Sequence, residues 1–103
     1  DPDGGTGLAQ QILRTFVESS RERVEQLSAA IAESDARKLS QAAHALKSSS
    51  ANVGAERLSA LYKELERLGR EERVDEARDL IDAAQQAYKQ TIIDIETLMT
   101  EGI

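Results

Sequence analysis

The sequence predicts an all-α fold, an antiparallel four-helix bundle with a short additional helix at its N-terminus. Two observations lead to this prediction. Between Leu8 and Glu101 the chain contains no proline and only two glycines, so little in its composition interrupts long helices. Apolar residues in this stretch recur every three or four positions, which is the spacing of one helical face and not of a strand.

The first two predicted segments share a weak boundary. The first is expected from about Leu8 to Ser19, and the second ends near Ser34. Ser20 offers an N-cap between them, although Arg23 stands where a capping box would place an acidic residue. Each segment has one apolar side, formed by Leu8, Ile12, Phe16 and Val17 in the first and by Val24, Leu27 and Ile31 in the second.

The other three helices have clearer ends. Asp35 is a good N-cap for the third helix, which is expected to end at Gly54. The fourth is expected to end at Gly69, and the polar segment 70–73 precedes the last. Connections this short require neighbouring helices to be antiparallel. The predicted core positions are Leu39, Ala42, Ala43, Leu46, Ser50 and Val53; Leu58, Leu61, Leu65 and Leu68; and Val74, Ala77, Ile81, Ala84, Tyr88, Ile92, Ile95 and Met99.

Composition and charge narrow the possible functions. The chain of 103 residues has the size of one domain, and without cysteine it has no thiol catalysis, thiolate metal site or disulfide. A net charge of −6 and 3% aromatic residues argue against a nucleic-acid partner. No apolar run approaches the about 20 residues of a membrane span. We therefore expect a cytoplasmic, monomeric domain without direct membrane contact, formed by residues 8–103 after a Gly-rich linker or cloning remnant at 1–7.

The single histidine, His44, is the candidate reactive residue. On a helical wheel it lies about 100° from Ala43, outside the core side, among small residues and one turn from Lys47. No Asp or Glu occurs from Ala36 to Ala55, which suits an approaching anion. A neutral imidazole is a competent nucleophile toward a phosphoryl group. Metal binding is not expected, because a second histidine, a cysteine and a Glu-x-x-His spacing are all missing.

Residues 44–58 resemble the signature of histidine-containing phosphotransfer (Hpt) domains of multistep phosphorelays. In that signature a leucine, a lysine and a small residue follow the histidine, a glycine comes ten residues after it, and a leucine comes four residues later. The matching residues here are His44, Leu46, Lys47, Ser48, Gly54 and Leu58. Helices from about Leu8 to Thr100 also suit the layout of the family.

The resemblance implies a role for each matching residue. His44 would be phosphorylated at Nε2, with Lys47 stabilising the phosphoryl group and Ser48 keeping the approach open. Gly54 would let the third and fourth helices pack closely. Glu66 stands where some members of the family have a glutamine that orients the histidine. If its carboxylate reaches the ring, it could hold the proton on Nδ1; otherwise it is a surface acid.

The function implied by the resemblance is that of a phosphorelay intermediate. It would accept a phosphoryl group from a receiver-domain aspartate and pass it to a response regulator, without an ATP site or cofactor of its own. Mg²⁺ would come with the receiver, and the Gly-rich start suggests the C-terminal module of a hybrid sensor kinase. The expected docking patch contains Arg37, Ser40, Gln41, Lys47, Ser48 and Ala51.

Two alternatives stay open at this point. One is the histidine-bearing domain of a chemotaxis-type kinase, phosphorylated by an ATP-binding kinase domain. The other is a helical interaction module that binds its partner without phosphate chemistry.

Overall fold

The computed structural model describes residues 4–101 and shows four helices. They are α1 (Gly4–Ala32), α2 (Ala36–Asn52), α3 (Glu56–Arg70) and α4 (Val74–Thr100). Three-residue turns join them, so that successive helices are antiparallel and pack as a bundle. The predicted all-α four-helix bundle is confirmed. None of the helices in the described part of the chain is long and apolar enough to cross a membrane.

The core lies at the level of α2 and α3, where all four helices meet. The side chains that fill it are apolar and almost fully buried, as their three-and-four spacing predicts. They include Phe16, Leu27, Leu39, Leu46, Leu58, Tyr62, Leu65 and Ile95. Asp35 caps α2 as expected, because its side chain accepts a hydrogen bond of 3.0 Å from the backbone N–H of Lys38. This frame fixes which side of α2 faces solvent.

The expected break at Ser19 and Ser20 is wrong, because α1 runs through both residues without interruption. Neither serine caps a helix. Ser20 is buried, and its hydroxyl shares a hydrogen bond of 2.8 Å with the hydroxyl of Tyr88 on α4. Ser19 Oγ donates to the carbonyl of Thr15. The predicted short helix is therefore the first half of α1, not a separate element.

Of the expected linker, residues 1–3 lie outside the described residues, and α1 begins at Gly4. The start of α1 and the end of α4 extend beyond the other two helices. At about 1.5 Å per residue, α1 is about 44 Å long and α2 only about 25 Å. Leu8 and Ile12, which the sequence placed on one apolar side with Phe16, are 57% and 42% exposed. They line a groove beside the end of α2, next to Asn52 and Val53.

The turns after α1, α2 and α3 share one backbone geometry, the Schellman motif. In the second, Gly54 has a φ of +78°, and the N–H of Ala55 donates to the carbonyl of Ser50 at 2.9 Å. The equivalent left-handed residues are Ser34 after α1 and Glu72 after α3, with φ of 56° and 57°. The expected end of α2 at Gly54 is thus correct to within two residues.

The expected end of α3 at Gly69 is correct to within one residue, but Gly69 is the penultimate helical residue and not the left-handed residue of the turn, and it packs against α2. A Cβ atom on Gly69 would be 2.8 Å from the backbone nitrogen of Ser40 and 2.9 Å from the carbonyl oxygen of Ala36. A Cβ on Gly54 would meet no atom within 4 Å. Gly54 therefore contributes to the α2–α3 hairpin through its backbone conformation and not through space left by a missing side chain. Gly54 supplies the left-handed turn, and Gly69 allows the close approach.

Candidate functional site

His44 lies on the solvent-facing side of α2, as expected. Its side chain is 58% exposed, while Ala43 and Leu46 on the same helix are buried and fix the rotation of α2. The residues of the expected docking patch share its face. Arg37, Gln41, Ser48 and Ala51 are exposed, and Ser40 and Lys47 are half-buried.

Glu66 reaches the His44 ring from α3. Its residue is only 3% exposed, and its Oε2 lies 2.7 Å from Nδ1 of His44. An ionised carboxylate only accepts hydrogen bonds, so Nδ1 is the donor and carries the proton of the neutral ring. The other ring nitrogen, Nε2, is then left with its lone pair, which is the state of a nucleophile.

Two cations hold the same carboxylate. Lys47 Nζ donates to Oε1 of Glu66 at 2.6 Å, and a terminal nitrogen of Arg70 donates to Oε2 at 2.8 Å. Lys47 is thus at the site, with the carboxylate as its partner. Sequence reasoning missed Arg70, although its position four residues after Glu66 on one helix is the spacing at which such pairs form.

Glu66 is ionised in the folded protein. Burial raises the pKa of its carboxyl, but hydrogen bonds from Lys47 and His44, together with the charges of Lys47 and Arg70, outweigh burial. The net pKa lies below the ordinary value of 4.5. With a neutral ring, the four side chains carry a net charge of +1, which favours the approach of a phosphoryl group.

The acid-free stretch from Ala36 to Ala55 does not produce an acid-free site. It describes α2 alone, and α3 brings a buried carboxylate under the ring. The exposed side of α2 around His44 still consists of small, neutral or basic residues. The negative charge of Glu66 lies on the buried side of the ring, where Lys47 and Arg70 pair with it. It does not lie on the exposed side from which a partner would approach.

Several contacts keep α2 and α3 in register at the site. The hydroxyl of Ser59 on α3 donates to the backbone carbonyl of Lys47 on α2 at 3.0 Å. Leu58 is buried at the start of α3, and Gly69 brings the far end of α3 against α2. These contacts hold α2 and α3 together on both sides of the place where His44 and Glu66 meet.

Within the described residues, no group of three His, Cys, Asp or Glu side chains is arranged to hold a metal ion. The hydroxyl of Ser50 is buried without a hydrogen-bond partner, but its position in the core of α2 keeps it away from the exposed ring.

Comparison with known proteins agrees with this geometry. Residues 11–98 match the family model of the Hpt domain. The chain also resembles the crystal structure of histidine-containing phosphotransfer protein B from Pseudomonas aeruginosa PAO1, with a TM-score of 0.85 and 33% sequence identity. That match covers 89% of this chain and 80% of the other. A search of curated proteins gave no significant match. The family match and the solved structure together show that the chain belongs to the Hpt domain family.

Proposed function

We propose that His44 carries the phosphoryl group in a phosphorelay between two receiver domains. The observation that supports this most directly is the 2.7 Å contact between Nδ1 of His44 and Oε2 of Glu66, which leaves Nε2 as the free nitrogen on an exposed ring. In the first step the Nε2 lone pair forms a bond to phosphorus. The acyl phosphate O–P bond of the receiver breaks, and the receiver aspartate leaves as a carboxylate.

Glu66, Lys47 and Arg70 assist this step in different ways. As the N–P bond forms, the ring that keeps its Nδ1 proton becomes positive, and the buried carboxylate of Glu66 offsets that charge. Lys47 and Arg70 both contact the carboxylate that holds the ring, and each can exchange a contact with Glu66 for one with a phosphoryl oxygen. The half-exposed lysine and the exposed arginine both have access to solvent for this movement.

The receiver docks on the exposed side of α2. Small side chains at Ser48 and Ala51 leave room for a second protein to approach the ring, and Arg37 adds positive charge to the patch. The Mg²⁺ that accompanies phosphoryl transfer is supplied by the receiver, whose acidic site faces these cations. We expect the domain to act as a monomer in the cytoplasm, without an ATP site of its own.

The experiment is transfer from receiver domains charged with [³²P]acetyl phosphate. We expect an acid-labile, alkali-stable label on the protein, and none on a His44→Gln variant that remains helical by circular dichroism. Label that persists in His44→Gln would contradict the assignment of His44. Direct labelling by an ATP-binding kinase domain, with no transfer from any receiver, would favour the chemotaxis-type alternative.

A further inference from the structure

The surface between α1 and α4 faces away from His44. Both α1 and α3 pack against α2 and against α4, so the α1–α4 seam lies on the opposite side of the bundle from the two helices that carry His44 and Glu66. A groove of about 410 Å³ lies at this seam. Its volume is within the range of protein binding sites, and the phosphotransfer site does not include it.

Apolar side chains from both helices form the floor of this groove. Val17 and Val24 come from α1, and Tyr88, Ile92 and Ile93 come from α4. The first four are half-buried against the core, whereas Ile93 is 55% exposed. A continuous apolar surface that solvent reaches is typical of a region that a partner covers.

The spacing of the apolar residues fits a helix. Val17 and Val24 are two turns apart, about 10 Å along the axis of α1, and Tyr88 and Ile92 are one turn apart on α4. A groove between two antiparallel helices runs along both of them. A third helix that lies in it presents its residues i, i+3 or i+4 and i+7 over the same length.

The charged residues of the groove favour an acidic helix. Arg21 on α1 and Lys89 on α4 are exposed, and Glu25 is the one carboxylate beside them. Within the described part of the chain, neither cation forms an ion pair. Two cations and one carboxylate give the groove a local charge of +1 in a protein whose net charge is −6. Carboxylates on both sides of an incoming apolar stripe would pair with Arg21 and Lys89.

A second copy of this chain fits the groove less well. In a two-fold symmetric pair the same surface meets itself, so that the Arg21 and Lys89 side chains of both copies would share only the two Glu25 carboxylates. Unneutralised positive charge would then remain between the subunits. A partner with acidic residues beside its apolar stripe avoids this repulsion.

We propose that the α1–α4 groove binds an acidic amphipathic helix of another protein, with the apolar stripe of that helix on the groove floor and its carboxylates on Arg21 and Lys89. This binding does not depend on the proposed function of His44. Because the groove faces away from the exposed side of α2, the helix and a receiver can be bound at the same time. The groove is thus a second attachment point, through which a partner holds the domain without covering His44.

The experiment compares two synthetic peptides of about 18 residues. Both carry leucines at i, i+3, i+4 and i+7, with alanine elsewhere except beside the stripe, where one peptide has glutamates and the other lysines. Binding is measured by fluorescence anisotropy at about 0.15 M salt. We expect the glutamate peptide to bind at least about tenfold more tightly than the lysine peptide. The net charge of −6 acting alone predicts the opposite order.

Two pairs of variants test the groove residues. Ile93→Ser removes an exposed apolar side chain from the groove, and its control, Leu98→Ser, removes one that is 42% exposed on α4 outside the groove. Arg21→Gln removes a groove cation, and its control is Arg23→Gln, whose guanidinium contacts Gln26. We expect Ile93→Ser and Arg21→Gln to weaken binding of the glutamate peptide roughly fivefold or more, and the controls to change it by less than about twofold. All four residues are exposed, so circular dichroism should show native helix content.

Amide chemical shifts of the ¹⁵N-labelled protein show where the glutamate peptide binds. The changes should centre on Val17, Val24, Ile92 and Ile93 and not on His44. Equal affinity for the two peptides, binding of neither, or shift changes centred on His44 would overturn the proposal. An Ile93-dependent dimer of the protein alone in sedimentation velocity would also overturn it, because the groove would then belong to a second copy. The comparison of peptides on the wild type decides the question even if a variant does not fold.

Discussion

Glu66 and His44 meet across two helices, with Oε2 of the buried carboxylate 2.7 Å from Nδ1 of the exposed ring, although 22 residues separate them in the chain. This contact joins the exposed surface of the bundle to its interior. The ring is exposed to a partner, while its tautomer is set from the α3 side by the almost fully buried carboxylate of Glu66. A surface histidine thereby acquires a defined nucleophilic nitrogen without a pocket around it.

Replacing Lys47 with alanine should slow phosphoryl transfer to His44 by roughly ten- to a hundredfold, because the variant lacks a cation that can neutralise charge on the phosphoryl oxygens. The half-buried stem of Lys47 is lost as well, so helicity and thermal unfolding should be followed by circular dichroism. The control is Lys89→Ala, which removes an exposed lysine from α4, outside the His44 site. Equal transfer rates in the two variants would remove Lys47 from the mechanism.

The contribution of Glu66 to stability should depend on pH. Its pKa in the folded protein lies below the ordinary value of 4.5, so the unfolded chain binds this proton more tightly. The ionised carboxylate therefore stabilises the fold above about pH 4.5, and this contribution is lost as the pH falls through the lower, folded-state pKa.

Urea unfolding of the wild type and Glu66→Gln tests this sign. The free energy of unfolding of the wild type should exceed that of the variant at about pH 7, and the difference should shrink toward about pH 3. The exposed acids Glu64, Glu71 and Glu76 also have lowered pKa values next to arginines, but they are present in both proteins and cancel in the difference. A difference that stays constant with pH would contradict the linkage.

The sequence alone predicts the four-helix bundle and the exposure of His44, because both follow from the three-and-four spacing of apolar residues within single helices. What it leaves undecided is whether Glu66 reaches the ring, since that depends on how α2 and α3 pack. Arg70 is missed because it contacts the carboxylate of Glu66 and not the ring, so the sequence around His44 gives no sign of it. The break at Ser20 is predicted wrongly, because a buried partner on another helix, Tyr88, satisfies the hydroxyl that seemed available for capping.

The two interior glycines should respond differently to alanine. Gly54→Ala adds a Cβ in open space at a left-handed residue, so it should cost about 1 kcal/mol of unfolding free energy and leave transfer unchanged. Gly69→Ala places its Cβ under 3 Å from the backbone of Ser40, so α2 and α3 must separate, at a cost of about 1–3 kcal/mol.

Separation of the helices should also weaken the contact between His44 and Glu66, since Gly69 and Glu66 lie one turn apart on α3. We therefore expect slower transfer in Gly69→Ala than in Gly54→Ala at temperatures where both are folded. Urea unfolding gives the stability of each variant, and receiver-dependent labelling gives its rate. Normal transfer in a folded Gly69→Ala would show that the helix spacing does not control the site.

Glu72→Gly should stabilise the protein. Glu72 lies in the turn after α3 with a φ of 57°, the backbone conformation that glycine supplies in the turn after α2. A side chain in this region costs about 1 kcal/mol relative to glycine, and the gain is reduced because glycine also makes the unfolded chain more flexible. The expected net increase in unfolding free energy is roughly 0.5 kcal/mol, measured by urea unfolding at neutral pH.

Glu72→Ala is the matched control, since it removes the same charge and keeps a Cβ. If the left-handed backbone is the cause, only the glycine variant gains stability; an equal gain in both would assign the effect to charge, in a protein whose net charge is −6. Ser34, with a φ of 56° after α1, is a less direct test because its hydroxyl accepts a hydrogen bond from Arg78. Glycine there would remove that contact along with the backbone strain, so a smaller gain than at Glu72 is expected.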